Sequence, residues 1–277
     1  MYLGIDIGGT KTLVAALDDK GEILLSRRFP TDHDYDNFLR DLGTNLKELP
    51  LEGDFKACAG VAGLLDRRAG TVHSLGNLPW RDKPIRTDIS NLIDDRWVML
   101  ENDSRLAGLS EARLLKDEYD GYVLFATVST GIGGALVHDG RLVTALKDME
   151  MGKMPLLHEG KLAYWEDFAG GRGVVERLKK RASDITDPEE WRIVGEQVAY
   201  GLAAVCSVLQ PEAIILGGSV GAHAEQYRDY ILAYFREHLH PVVRQPQAIL
   251  PARRPDEAVI YGCYDLLKQA EREAHHG

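Results

Sequence analysis

The chain has 277 residues, 44% of them hydrophobic and 27% charged, with a formal net charge of −10. That length suits two domains of ordinary soluble composition. The acidic balance argues against non-specific nucleic-acid binding, which needs a basic field, but leaves room for a small anionic ligand held by local amides, a metal and a few cations.

Tyr2 to Ile7 is an apolar run that reads as a buried strand. Asp6 interrupts it at a cost, because a carboxylate on a buried strand needs a partner, a metal or water. Gly8-Gly9 marks a tight turn where the backbone can approach another group. Thr10 and Lys11 add a hydroxyl and a cation. Two readings stand: amides cradling an anion beside a metal-holding acid, or an ordinary hairpin turn with a solvated Asp. Leu13 to Leu17, a turn at Asp18–Gly21 and Glu22 to Phe29 complete an antiparallel meander. Phe38, Leu39, Leu42, Leu46 and Leu49 predict a helix over Tyr35 to Leu49. Phe55 to Val61 is a short strand with Gly60 near its end and Gly63 just beyond. Gly70 to Trp80 reads as loop with a short strand, and Asn77-Leu78-Pro79-Trp80 as a turn. Ile85 to Asp94 is a helix, Trp97 to Leu100 a strand, and Ser104 to Leu115 a helix. Asn102-Asp103 stands between the last two. An Asp at a strand end can accept a proton from a substrate hydroxyl, and Asn102 suits a polyol. The plainer reading is that Asp103 or Ser104 caps the helix.

A second cycle starts at Tyr122. An apolar strand to Val128 leads into Ser129-Thr130-Gly131-Ile132-Gly133-Gly134, a strand Ala135–Val137, a turn His138–Gly140 and a strand Arg141–Val143. Strand, Gly-rich turn, strand, Asp/Gly turn, strand repeats the opening order and reads as an internal duplication. Trp165 to Ala182 is helical with a break near Gly170-Gly171. Pro188 to Leu209 is a long helix with an apolar stripe, stopped by Pro211. Ala213 to Leu216 is a buried strand ending in Gly217-Gly218. Tyr227 to Leu239 is an amphipathic helix, Ala248 to Leu250 an edge strand, Ala258 to Ala270 a last helix, and Glu271 to Gly277 a frayed end. No linker divides the chain, so a domain boundary is expected inside compact structure near residues 104–120. Cys58, Cys206 and Cys263 are few and scattered, which fits buried thiols better than disulfides or a metal cluster. No apolar run approaches the ~20 residues of a membrane span. No signal peptide is visible, and a cytoplasmic location with no membrane or nucleic-acid partner is expected.

Three Gly-rich turns thus follow apolar strands. Ligands of α/β folds collect at the carboxyl ends of strands, so a cleft between two domains is expected. None of the turns has the P-loop or dinucleotide spacing. Seven stretches in order carry a resemblance: Gly4 to Lys11; Gly60-Val61-Ala62-Gly63 with Asp66 and Gly70; Asn77 to Trp80; Glu101-Asn102-Asp103; Thr130 to Gly134; Glu150-Met151-Gly152; and Pro211 to Gly218. On these the chain resembles the ROK family of sugar kinases, within the actin-like ATPase superfamily.

The resemblance implies an α/β fold of two ribonuclease-H-like domains, residues 1–107 with about 262–277 and residues 108–261, with the cleft between them. It implies transfer of the ATP γ-phosphoryl group to a hexose hydroxyl, usually the one on carbon 6. Glucose comes first as acceptor, and N-acetylglucosamine, N-acetylmannosamine or fructose second. A non-catalytic sugar sensor is the alternative of another class. By the same resemblance Asp103 is the general base and Asp6 helps position magnesium, directly or through water. Gly8, Gly9, Thr10, Lys11, Thr130, Gly131 and Gly133 hold phosphates, and Gly218 lines the adenosine site. Gly63, Asn102, Asp103, Glu150, Lys153 and Glu166 form the sugar set. A homodimer is a family tendency.

Two departures stand out. The family's usual Glu-x-Gly-His, whose His often binds sugar and a structural zinc, is here Glu150-Met151-Gly152-Lys153, and no cysteine occurs from Met154 to Phe168. A tetrahedral set cannot be assembled locally, so no structural zinc is expected and His158 reads as an ordinary surface or turn histidine. Lys153 reads equally as a solvated cation or as a donor to a sugar oxygen. Ser129 stands where the family prefers Gly.

Overall fold

The computed structural model describes every residue except Glu52, Asn77 and Gly277, and leaves aside the side chains of His275 and His276. Asn77, expected in a turn, and Gly277, expected in a frayed end, therefore lie outside the described residues. Contacts divide the chain into two units, residues 1–110 with 256–277 and residues 111–255.

In the first unit, β1 (Tyr2–Ile7), β2 (Lys11–Leu17) and β3 (Ile23–Pro30) form the antiparallel meander. Asp34 caps α1 (Tyr35–Lys47) by accepting from the Asn37 amide. β4 (Lys56–Val61) runs parallel to β1. A three-stranded antiparallel sheet follows: β5 (Leu64–Asp66), β6 (Thr71–Leu75) and β7 (Leu78–Lys83). The short strand expected within the Gly70 to Trp80 loop is β6, and the turn expected over Leu78 to Trp80 is corrected to the start of β7. The Trp80 side chain is buried and donates to the His33 carbonyl at 2.9 Å, which ties β7 to the approach to α1. Then come α2 (Ile85–Leu92), β8 (Val98–Asn102) parallel to β4, and α3 (Asp103–Arg113).

The main sheet has the order β3-β2-β1-β4-β8. Leu3, Ile5 and Ile7 point to one face, with Phe38, Leu42, Ile85 and Ile89 of α1 and α2. Tyr2 points to the other, with Leu106 of α3 and with Ile260, Cys263 and Leu267, which belong to α9, the chain's last helix (Ala258–His276). Burial on both faces is why β1 reads as a continuous apolar run. α9 continues from Glu271 to His276, where the chain was expected to fray. Glu271 accepts from the Tyr2 hydroxyl at 2.8 and 2.9 Å and pairs with Lys56 at 2.8 Å, contacts too distant in sequence to be read there.

In the second unit, β9 (Val123–Val128), β10 (Ile132–His138) and β11 (Arg141–Leu142) form another antiparallel meander. A hairpin, β12 (Pro155–His158) and β13 (Lys161–Tyr164), stands apart as its own two-stranded sheet, turning on Glu159 and Gly160 with positive φ. α4 (Trp165–Ala169) and α5 (Gly171–Leu178) flank the break expected at Gly170. α6 (Pro188–Leu209) follows its Asp187 cap and ends on Gln210 in the left-handed region. β14 (Ala213–Gly217), α7 (Gly218–Gly221), α8 (Ala224–His238) and β15 (Ala248–Pro251) complete the unit. Its sheet order, β11-β10-β9-β14-β15, matches that of the first unit strand for strand, with β14 parallel to both β9 and β15.

α6 corrects one expectation: at 22 residues it is long and apolar enough to span a membrane by length and composition. Trp191, Val194, Val198 and Leu202 are instead buried in the unit's core with Tyr227, Ile231 and Phe235 of α8. Arg192 pairs with both Glu189 and Glu196 along the helix.

Gly262 lets α9 meet α3, because a Cβ there would lie 2.1 Å from the Leu106 carbonyl oxygen. Gly262→Ala is expected to destabilise the protein by roughly 1–3 kcal/mol, seen as a lowered thermal midpoint. An unchanged midpoint would mean the two helices are not in contact there.

Candidate active site

In the first unit the expected residues gather at the carboxyl ends of β1, β4 and β8. The register sets Asp6 beside Gly60 and Gly60 beside Glu101. A Cβ on Gly60 would come within 2.4 Å of Val259 Cγ1 and 2.9 Å of Leu106 Cδ1, with Asp103 Cα at 3.6 Å. The missing side chain thus admits the start of α3, and with it Asp103, to the same edge as Asp6.

Both acids are half-buried. Burial, then the charge of Asp103, pushes the Asp6 carboxyl up to about 7, with Arg28 pulling the other way. Burial also raises Asp103, against the opposing pull of the Ser104 amide. Asp103 Oδ1 accepts that amide at 2.7 Å. Asn102 Oδ1 accepts the same amide at 3.1 Å and the Ser104 hydroxyl at 2.5 Å. Capping is therefore real, and it consumes one oxygen from each residue. Asp103 Oδ2 and the Asn102 amide nitrogen take no part in those bonds, one an acceptor and one a donor.

Gly8 to Lys11 link β1 to β2. The Gly8 amide donates to the Lys11 carbonyl at 3.1 Å, and a Cβ on Gly8 would sit 3.0 Å from that oxygen. Thr10 and Lys11 are exposed. Gly63 follows β4 at φ +110, where a Cβ would be 2.2 Å from the Ser74 carbonyl oxygen, so glycine is required there by backbone and by space.

The side chains that support Asn102 and Asp103 carry no family motif beyond Glu101 itself. Glu101 is buried, and its Oε1 accepts from the Asn102 amide at 2.7 Å and from Arg67 Nε at 2.7 Å, with Arg105 Nε at 3.2 Å. Arg67 also ties the turn after β5 to this edge. The i,i+4 spacing of Glu101 and Arg105 was a readable signal; nothing local marks Arg67.

In the second unit Thr130, Gly131 and Gly133 follow β9. Thr130 is exposed at the turn, but Gly133 lies inside β10, paired with Thr127, rather than in the turn where it was expected. The Ser129 amide donates to the Gly131 carbonyl at 2.9 Å, and the Gly171 amide at the start of α5 donates to the Ser129 carbonyl at 2.6 Å. Gly218 opens α7 at φ +79, where a Cβ would be 2.6 Å from the Val128 carbonyl oxygen and 2.7 Å from Thr127 Oγ1. Glu150 and Lys153 bracket a single helical turn, the Lys153 amide donating to the Glu150 carbonyl at 3.0 Å. Glu166 is buried; Oε2 accepts the Ile132 amide at 3.2 Å and Oε1 accepts from Lys153 Nζ. Lys153 is thus no lone solvated cation but one half of an ion pair.

His158 Nε2 is 2.7 Å from Gln197 Oε1, and its ring stacks on Phe168 with centroids 4.0 Å apart. Among the described residues no group of three or more His, Cys, Asp or Glu could hold a metal. With Lys153 ion-paired to Glu166 and His158 bonded to Gln197, the donor set around Lys153 does not fit a tetrahedral zinc. Asp6 is a different case. Magnesium is commonly held by one or two carboxylates plus phosphates and water, and Asp6 has a raised carboxyl with no ion-pair partner among the described residues.

A model of the ROK family matches residues 2–270. The chain belongs to the ROK family. It is 23% identical to a glucokinase of Streptomyces coelicolor, over 98% of both chains. It is 27% identical to an N-acetyl-D-glucosamine kinase of Citrobacter koseri, covering 95% of this chain and 97% of that one. Among solved structures, a ROK family glucokinase from Streptomyces griseus, in complex with glucose and AMPPNP, superposes with a TM-score of 0.80 at 24% identity, over 97% of this chain and 99% of that one. The fold is that of the actin-like ATPases.

A carboxyl whose folded pKa is raised favours its protonated form, so its contribution to stability is present below about pH 4 and lost as pH rises toward 7. In metal-free buffer Asp6→Asn is expected to stabilise the protein by roughly 1–3 kcal/mol above pH ~8 and to do little below pH ~4. Denaturant titrations at both pH values check this, and equal effects at both would contradict the burial of Asp6.

Proposed function

We propose that the protein is an ATP-dependent sugar kinase that moves the γ-phosphoryl group of ATP to a hexose hydroxyl, the 6-hydroxyl first. Glucose leads as acceptor, with an N-acetylhexosamine or fructose behind it. The observation that carries the proposal is the Asn102-Asp103 turn in a chain of the ROK family. There the helix cap takes one oxygen of each side chain, leaving a carboxylate oxygen and an amide donor for a hydroxylated ligand.

In this reading Asp103 Oδ2 accepts the proton of the attacking hydroxyl, and burial, which raises the carboxyl, makes it a better base than a free Asp. Asn102 donates to a sugar oxygen beside it, with Gly63, Glu150, Lys153 and Glu166 completing the sugar set. Gly8, Gly9, Thr10 and Lys11 bind phosphate oxygens, as do Thr130, Gly131 and Gly133, while Gly218 lines the nucleoside. Catalysis is mainly positioning and electrostatic stabilisation. Asp6 would hold magnesium, directly or through water, and the ion would neutralise phosphate charge. Glu101 acts through Asn102 by fixing its backbone.

ADP release over glucose, mannose, fructose, N-acetylglucosamine and N-acetylmannosamine tests the proposal. At least one sugar is expected to drive turnover, and Asp103→Asn to lower kcat on that sugar by about 10²–10⁴-fold. Near wild-type turnover by the variant would overturn the base assignment; no turnover with any sugar would overturn the kinase reading.

A further inference from the structure

One buried carboxylate in the second unit serves two segments to which different roles are proposed. Glu166 Oε2 accepts the Ile132 amide at 3.2 Å, at the first residue of β10 just after Thr130-Gly131. Glu166 Oε1 accepts from Lys153 Nζ, at the end of the Glu150–Lys153 turn. The Glu166 side chain is 9% exposed and that of Lys153 56%, so the cation reaches in from the surface to a buried acid.

Two glycines enclose the carboxylate. A Cβ on Gly131 would be 2.5 Å from Glu166 Oε2, and one on Gly152 would be 3.0 Å from it and 2.1 Å from the Ile132 carbonyl oxygen. The two turns therefore touch through Glu166 with no side chains between them. Gly134 adds to this, since a Cβ there would lie 2.2 Å from Met151 Cε.

A buried carboxylate stripped of its cation is left uncompensated and is drawn toward water. That displacement weakens its hold on the Ile132 amide, because the hydrogen bond lengthens and loses alignment. We infer that Lys153 is a positioning residue for the phosphate turn, acting through Glu166, and that the sugar-side and phosphate-side turns of this unit are coupled by the pair. The inference rests on the proposed phosphate role of Thr130 to Gly133. It goes beyond the reading of Lys153 as a sugar ligand, which would leave nucleotide binding untouched when no sugar is present.

The test is calorimetric binding of magnesium-ATP, without sugar, to the full chain and to Lys153→Met, Lys153→Arg and Lys161→Met. Lys161 is exposed on the β12–β13 hairpin and controls for loss of a positive charge. Lys153→Met is expected to weaken ATP about tenfold and the other two less than about twofold. Lys153→Met binding ATP as Lys161→Met does would overturn the inference. Hydrogen exchange at the Ile132 amide of the ligand-free protein gives a reading independent of any activity. It is expected to quicken about tenfold in Lys153→Met and to return with Lys153→Arg, and unchanged exchange would also overturn the inference. Should Lys153→Met not fold, Lys153→Gln carries the same comparison. Failure of the kinase reading would show separately, as a wild-type protein that phosphorylates no sugar, and would leave the exchange result standing.

Discussion

The absence of a side chain at Gly60 is the constraint on which the first unit's chemistry depends. With no Cβ there, Val259 of α9 and Leu106 of α3 close onto the sheet, and the first residue of α3 comes to the edge that β1 reaches with Asp6. Two carboxyls then sit near one another in a half-buried setting, and both are raised. This costs stability, and the protein offsets it with a large two-faced core around β1. Glu101 and its arginines then hold the Asn102 backbone against the sheet end, beside the two half-buried acids.

The second unit repeats the strand order of the first and uses it differently. Where the first unit places an acid at the fifth position of its opening strand, the second has Thr127 at the fifth position of β9, followed by a glycine-containing turn. Its buried acid, Glu166, comes from α4 and reaches across to that turn. One architecture thus carries two kinds of polar group: carboxyls at strand ends in one unit, and backbone amides braced by a carboxylate in the other. The ROK family match over residues 2–270 spans both units.

Much of the fold was legible because its signals are local. Pro188 to Leu209 was read to the residue, since a capping Asp187, a proline at the first turn and Pro211 beyond the end all agree with the apolar stripe. β1, β4, β9 and β14 were legible as short apolar runs with glycine at or within a few residues of the end. The three-stranded sheet was not, because Gly70, Gly76 and Pro79 punctuate strands too short to show a period. The hairpin was missed because Leu157 and Leu162 stay exposed, which erases the alternation expected of a half-buried strand, although Glu159-Gly160 was a usable turn signal. Candidate site residues carried by family motifs could be named in advance. Their supports could not: Arg67 meets Glu101 across 34 positions, and Lys153 meets Glu166 only because the hairpin between them folds back.

The central claim is that the phosphoryl group passes to a sugar hydroxyl held at Asn102-Asp103, rather than to water. Its most direct test is the fate of label from γ-labelled ATP, followed with and without a hexose. The account expects label in a sugar phosphate, in step with ADP, and little inorganic phosphate. Label released as inorganic phosphate at the same rate whether or not sugar is present would contradict it.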